Sequence, residues 1–182
     1  MDKFTLAKED TVLMIIDIQE RLSAAMKYGK DVIDNTDTLI TISKDLGIPI
    51  LATEQYPKGL GDTVERLKPN LEKDSVYEKI VFSGYIEQVA SALKRLERKK
   101  VVIVGMEAHV CVFQTVRDLL SDGYQVFVVA DAVCSRIKQN YKIALDLMDA
   151  MGAIITSTET VCFDLLKEAG TPLFKKISKL IK

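Results

Sequence analysis

Cys111 is the side chain of this 182-residue sequence whose setting best suits a nucleophile. It follows an apolar, β-branched run, 101–104, that stops at Gly105. It also opens a helical pattern carried by Val112, Thr115, Val116, Leu119 and Leu120. Apolar strand, glycine turn, thiol and helix is a layout that presents a side chain at the carboxyl edge of a parallel sheet. A helix amino terminus there would offer free N–H groups and partial positive charge, favouring thiolate. A buried, inert cysteine fits the same spacing. Two other polar residues end apolar runs: Asp17 closes Val12-Leu-Met-Ile-Ile16, and Lys79 follows Val76-Tyr-Glu78. Strand ends of one sense share one side of a parallel sheet, so these groups can converge. The carboxylate could then take the thiol proton, with an ammonium favouring both charged partners. Taken singly, Asp17 also reads as an N-cap and Lys79 as a solvated strand end.

The elements that must position these groups are legible as alternating runs. Strand-like stretches fall at 11–16, 48–52, 75–77, 101–104, 125–130 and 153–156, and helical ones at 20–46, 86–97, 110–121, 140–151 and 158–168. Several strand runs lack alternation, as strands buried on both faces do. Strand–helix alternation predicts an α/β fold, a three-layer α/β/α Rossmann-like sandwich on a parallel sheet. No repeat or linker interrupts it, so a single domain over 1–182 is expected. The exception to the rhythm is Thr53-Glu-Gln-Tyr-Pro-Lys-Gly-Leu-Gly61, whose Pro57, Gly59 and Gly61 mark a loop suited to shaping a site.

Composition excludes several functions. With 25 basic and 26 acidic residues and a net charge of −1, nothing favours a nucleic-acid partner. The amino terminus is charged and no apolar run is long enough for a membrane span, so a cytoplasmic protein without membrane partners is expected. Three cysteines at 111, 134 and 162 form neither a disulfide framework nor a zinc-type pair, and suit a reducing compartment. Cys134 and Cys162 read as buried small hydrophobes. After the first strand stands Asp17-Ile-Gln-Glu20 instead of a glycine-rich phosphate fingerprint, so NAD is not expected there.

The segments Asp17-Ile-Gln19, Gly105-Met-Glu-Ala-His-Val-Cys-Val112, Ala52-Thr-Glu-Gln-Tyr-Pro-Lys-Gly-Leu-Gly61 and Val129-Ala-Asp-Ala-Val-Cys-Ser-Arg136, with strand-end Lys79, resemble the isochorismatase-like cysteine hydrolases, above all the isochorismatase-domain-containing branch. The resemblance runs from about Thr11 to the carboxyl terminus. It implies a six-stranded sheet ordered 3-2-1-4-5-6 and a triad of Cys111, Asp17 and Lys79. It also implies a cis bond between Met106 and Glu107, which would aim the N–H groups of Glu107 and Cys111 at one oxyanion. That order makes strands 1 and 4 neighbours, which brings Asp17 beside Cys111. Lys79 falls on the outer strand 3, so its role rests on the resemblance.

The function expected on these grounds is cleavage of an amide or related acyl bond of a small molecule through a cysteine thioester. The alternative is an idle isochorismatase-fold module for binding or assembly, or a thiol redox sensor. The pocket is expected to be walled by Gln19, Tyr56, Phe82 and Tyr85. His109, the only histidine, is expected to line the site or support it rather than act as base. Nicotinamidases of the superfamily bind metal through an Asp-x-His segment and a further histidine. The corresponding loop here, Thr53-Glu-Gln-Tyr56, has no histidine, so neither metal nor cofactor is expected. Asp131 reads as a rim residue or as a cap. The tail, about 172–181, patterns as an amphipathic helix, expected to pack on protein in a homo-oligomer rather than on a membrane.

Overall fold

The computed structural model describes residues 2–181. Six strands form one parallel sheet: β1 (Thr11–Ile16), β2 (Ile50–Gln55), β3 (Val76–Lys79), β4 (Lys100–Met106), β5 (Gln125–Cys134) and β6 (Ile154–Thr156). Their order is β3-β2-β1-β4-β5-β6, with every pairing parallel. Alternation within β1 shows how the layers arise. Val12, Met14 and Ile16 enter one core, and Leu13 and Ile15 the other. Both faces are covered, which is why the run reads as continuously apolar.

On one face lie α2 (Gly29–Leu46), α7 (Thr158–Leu166) and α8 (Pro172–Leu180), contributing Val32, Leu39, Val161, Leu165 and Ile177. The other carries α4 (Glu87–Leu96), α5 (Phe113–Ser121) and α6 (Lys138–Ala150), contributing Val89, Leu93, Val116, Leu119, Ala144 and Met148. The short helices α1 (Glu20–Ala24) and α3 (Pro57–Leu60) lie beside the carboxyl strand ends.

Three of the boundaries that differ from those read in the sequence have a physical reason in the packing. The expected helix over 20–46 is broken into α1 and α2 because the chain folds back on itself. A Cβ on Gly29 would meet Ser23 O at 2.4 Å, so only glycine permits that approach. The second strand starts after Pro49 and runs on through Gln55, since pairing with β1 begins at Leu13↔Ile50. β5 continues past Ala130 to Cys134: a register shift against β4 between Ile103 and Gly105 lets Val133 and Cys134 pair with Gly105 and Met106. Among the described residues no helix is long and apolar enough to cross a membrane.

The carboxyl-terminal helix α8 packs on its own chain. Ile177 is buried, Phe174 lies 6.0 Å from Phe163, and Lys176 pairs with Asp45 of α2 at 2.7 Å. The expectation that this helix packs on protein is met by its own chain at Ile177, while Leu180 stays exposed.

Candidate active site

The junction of β1 and β4 demands glycine at Gly105. Its φ is 137°, and an added Cβ would stand 2.1 Å from Ile16 O. The strands therefore approach closely where each gives way to site residues. Beyond β1, Asp17 adopts a left-handed conformation (φ 52°), which Asp tolerates better than most residues. Beyond β4, the Met106–Glu107 peptide bond is cis, and a π-helical turn, Ala108–Val112, leads into α5 with Cys111 in its fourth position.

The Asp17 carboxylate is anchored at both oxygens. Thr53 Oγ1 donates to Oδ1 at 2.7 Å, and Lys79 Nζ donates to Oδ2 at 2.7 Å. Both side chains of the ion pair are inaccessible to solvent. Burying two charges is costly unless their remaining hydrogen-bonding capacity is met. Here it is met: Lys79 Nζ also donates to Gln55 Oε1 at 2.7 Å and to Phe82 O at 2.9 Å. To reach Asp17 from β3 the lysine passes over β2, where Gln55 stands opposite it in register.

Cys111 completes the group. The residue is 5 % exposed, and its thiol lies near enough to Asp17 and Lys79 to feel the charge of both. Burial pushes the thiol up to about 12; the Asp17 carboxylate adds to the rise and Lys79 opposes it. The expectation that the helix terminus would favour thiolate is thus overturned, because loss of water and a nearby carboxylate outweigh the cation. The resting group is a neutral thiol beside a carboxylate–ammonium pair. Thr115 Oγ1 steadies the turn by donating to Cys111 O at 2.6 Å and accepting from Gly84 N at 2.7 Å.

These features coincide with a matching family model, the isochorismatase domain, over residues 11–160. The chain belongs to the isochorismatase family. It is 41 % identical over 182 residues to the secreted isochorismatase effector Isc1 of Phytophthora sojae, spanning 97 % of this chain and 87 % of that one. It is 38 % identical to isochorismatase family protein 1A of Dictyostelium discoideum, spanning 96 % and 87 %. A solved structure described as the MAR1 ribonuclease of Caenorhabditis elegans superposes with a TM-score of 0.91 at 39 % identity, covering 97 % of this chain and 92 % of that one.

Within this isochorismatase fold the residues expected to wall a pocket separate. Tyr56 and Phe82 are half-exposed at the carboxyl edge, and Tyr56 borders a cavity of about 470 Å³ with Pro57, Lys79, Ile80 and Val81. Gln19 does not line it. The Gln19 side chain is sealed under the 56–61 loop, its Nε2 donating to Gln55 O and Gly61 O and its Oε1 accepting from Gln55 N. Tyr85 also leaves the site. Its hydroxyl donates to Asp122, beyond the carboxyl end of α5, and its ring packs edge-on to Tyr124. The chain after Phe82 descends along α5 instead of staying at the strand ends, which is what carries Tyr85 away.

Other assignments resolve into support. His109 Nδ1 lies 2.9 Å from Ser135 Oγ, and the Glu107 carboxylate accepts from Arg136 N at 2.9 Å and from Arg136 Nε at 3.1 Å. Asp131 caps α7, accepting from Thr158 N and Oγ1. Sequence reading missed Thr53 and Gln55 as partners of the ion pair. Their i, i+2 spacing, which puts both on one face of a strand, was the available signal. Among the described residues no three His, Cys, Asp or Glu side chains are grouped to hold a metal ion.

Proposed function

We propose that this protein is a cysteine hydrolase that cleaves an amide or related acyl bond of a small molecule, using 1–182 as one domain. The observation that carries the reading is the solvent-inaccessible Lys79–Asp17 pair beside a neutral Cys111 thiol. An inert core has no need of a buried charge pair aimed at a thiol.

In this scheme Asp17 takes the proton from Cys111 as Sγ attacks the substrate carbonyl carbon. The N–H groups of Glu107 and Cys111 receive the oxyanion that forms. Asp17 returns the proton to the leaving amine, the C–N bond breaks and a thioester remains. Asp17 then takes a proton from water, whose oxygen attacks the thioester and releases the acid and the thiol. Lys79 touches no substrate in this scheme. It stabilises the carboxylate form of Asp17 and fixes its direction, and Thr53 does the same from the other oxygen. Tyr56 and Phe82 form the rim over which the substrate enters, and neither metal nor cofactor has a part.

The nematode relative's description raises RNA as a substrate. Against it stand a net charge of −1 and a site whose buried cation, Lys79, has its donors committed internally and offers none to a phosphate backbone. The three unbridged thiols support a reducing, cytoplasmic setting. Self-association is part of the proposal, and the surface that favours it is the exposed run Ile80-Val81-Phe82 beside the site rather than α8. The test of the hydrolase is a screen of small amides and ureas with Cys111→Ala as blank, read by intact mass. Turnover, with an acyl adduct mapped to Cys111, is the expected result. An adduct found only on Cys134 or Cys162 refutes it.

A further inference from the structure

A cavity of about 370 Å³ opens at the carboxyl end of β5, between the first turns of α2 and α6. That volume lies in the range of small-molecule sites. Cys111, Asp17 and Lys79 do not line it. Its walls are apolar and aromatic, with Tyr28, Val32, Val133 and Tyr141 facing the space. Tyr141 is fixed in place because its hydroxyl donates to Ala130 O at 2.8 Å.

Around the cavity three cations stand beside two carboxylates, and one of the cations, Arg136, is already paired with Glu107. Lys27, Arg136 and Lys138 share the lining with Asp31 and Asp131. Asp131 is already engaged by Thr158. Among the described residues neither Lys27 nor Lys138 has an ion-pair partner. An apolar body with one negative group would satisfy both the walls and the cations.

Two of the lining residues also brace the turn that carries Cys111. Ser135 holds the His109 ring, and Arg136 holds the Glu107 carboxylate. We propose that this cavity is a second ligand site, for a small carboxylate with an aromatic or branched apolar body. Its occupant competes with Glu107 for Arg136, so binding is felt at the Cys111 turn.

The test is an amide-resolved NMR titration of the full chain with phenylacetate, using 2-phenylethanol as the uncharged counterpart. Phenylacetate is expected to give saturable shifts at Tyr28, Val133, Ser135 and Tyr141, accompanied by shifts at Glu107 and His109. Cys111→Ala should bind equally well, which keeps this result separate from the fate of the hydrolase reading. The double variant Lys27→Glu/Lys138→Glu changes only exposed side chains and should bind about tenfold more weakly. Absence of saturable shifts at millimolar phenylacetate overturns the site, as do shifts centred on Asp17 and Cys111. Equal binding of 2-phenylethanol, or by the charge-reversed variant, overturns the anionic class. Binding that leaves Glu107 and His109 unmoved overturns the link to the turn.

Discussion

Gln55 and Lys79 stand opposite each other in the parallel register of β2 and β3, and Gln55 Oε1 accepts a hydrogen bond from Lys79 Nζ at 2.7 Å. That contact lets the ammonium cross β2 without leaving one of its protons unsatisfied on the way to Asp17. The ion pair is thus a three-strand device: β3 supplies the cation, β2 the support and β1 the anion.

Removing one partner should cost more than removing both. Lys79→Ala leaves the Asp17 carboxylate buried without its cation, which typically destabilises by about 3 to 5 kcal/mol. Lys79→Met combined with Asp17→Asn should recover much of that loss in urea denaturation while remaining inactive. A double variant no more stable than Lys79→Ala would contradict the coupling.

Thr53→Val removes the 2.7 Å bond to Asp17 Oδ1 while keeping the side chain's size. A hydrogen bond to a charged group contributes about 1.5 to 3 kcal/mol, so turnover should fall about tenfold or more. Because Thr53 positions Asp17, the loss should appear in kcat with KM little changed. An altered KM at constant kcat would place Thr53 in substrate binding instead.

Gly105→Ala should be among the most damaging single changes. The positive φ and the 2.1 Å approach to Ile16 O leave no room for a methyl group between two central strands. Circular dichroism melting should show a large fall in Tm, or no folded protein. Gly47→Ala is the comparison: its φ of 66° is also strained, but nothing lies within 4 Å of the added carbon. It should cost far less.

Burial pushes all three thiols up to about 12 from an unfolded value near 9. The folded state therefore keeps thiol protons that the unfolded chain loses. Their contribution is complete below about pH 9 and is lost as pH rises toward 12, with a steepest slope of about 1.4 kcal/mol per pH unit for each thiol. Urea midpoints should decline over that window, less steeply in Cys162→Ala. Iodoacetamide should label the folded protein slowly at pH 7 and faster as pH rises. Rapid, pH-independent labelling of Cys111 would contradict a neutral resting thiol.

Deleting α8 after Gly170 uncovers the core around Val161, Cys162 and Leu165, which Ile177 helps to close. Thermal melting should show a lower Tm, and light scattering should give the same subunit number as the full chain. A change in subunit number on truncation would return α8 to an assembly role.

The fold was legible because continuous apolar runs such as 11–16 report burial on both faces, and that information is local. The placing of Asp17 and Cys111 at strand ends followed from the apolar runs, and their nearness from the β1–β4 pairing that the family resemblance implied. The approach of Lys79 followed from neither, since reaching Asp17 requires passage over an intervening strand, which no local pattern encodes. Thr53 and Gln55 were hidden because the nearby Tyr56-Pro57 turn made the end of β2 look like loop. Gln19 and Tyr85 were misplaced because strand order gives the edge on which a residue starts, not the course of the chain beyond it.

The two cores also divide the cysteines. Cys111 lies on the α4–α5–α6 side of the sheet, while Cys134 and Cys162 lie on the α2–α7–α8 side. A disulfide requires side chains that face each other, with Cα atoms within about 7 Å. The sheet thus acts as a septum between Cys111 and both potential resolving thiols. A sulfenic acid formed on Cys111 would have to be reduced by a thiol from another molecule, which argues against a self-resetting redox switch within one chain.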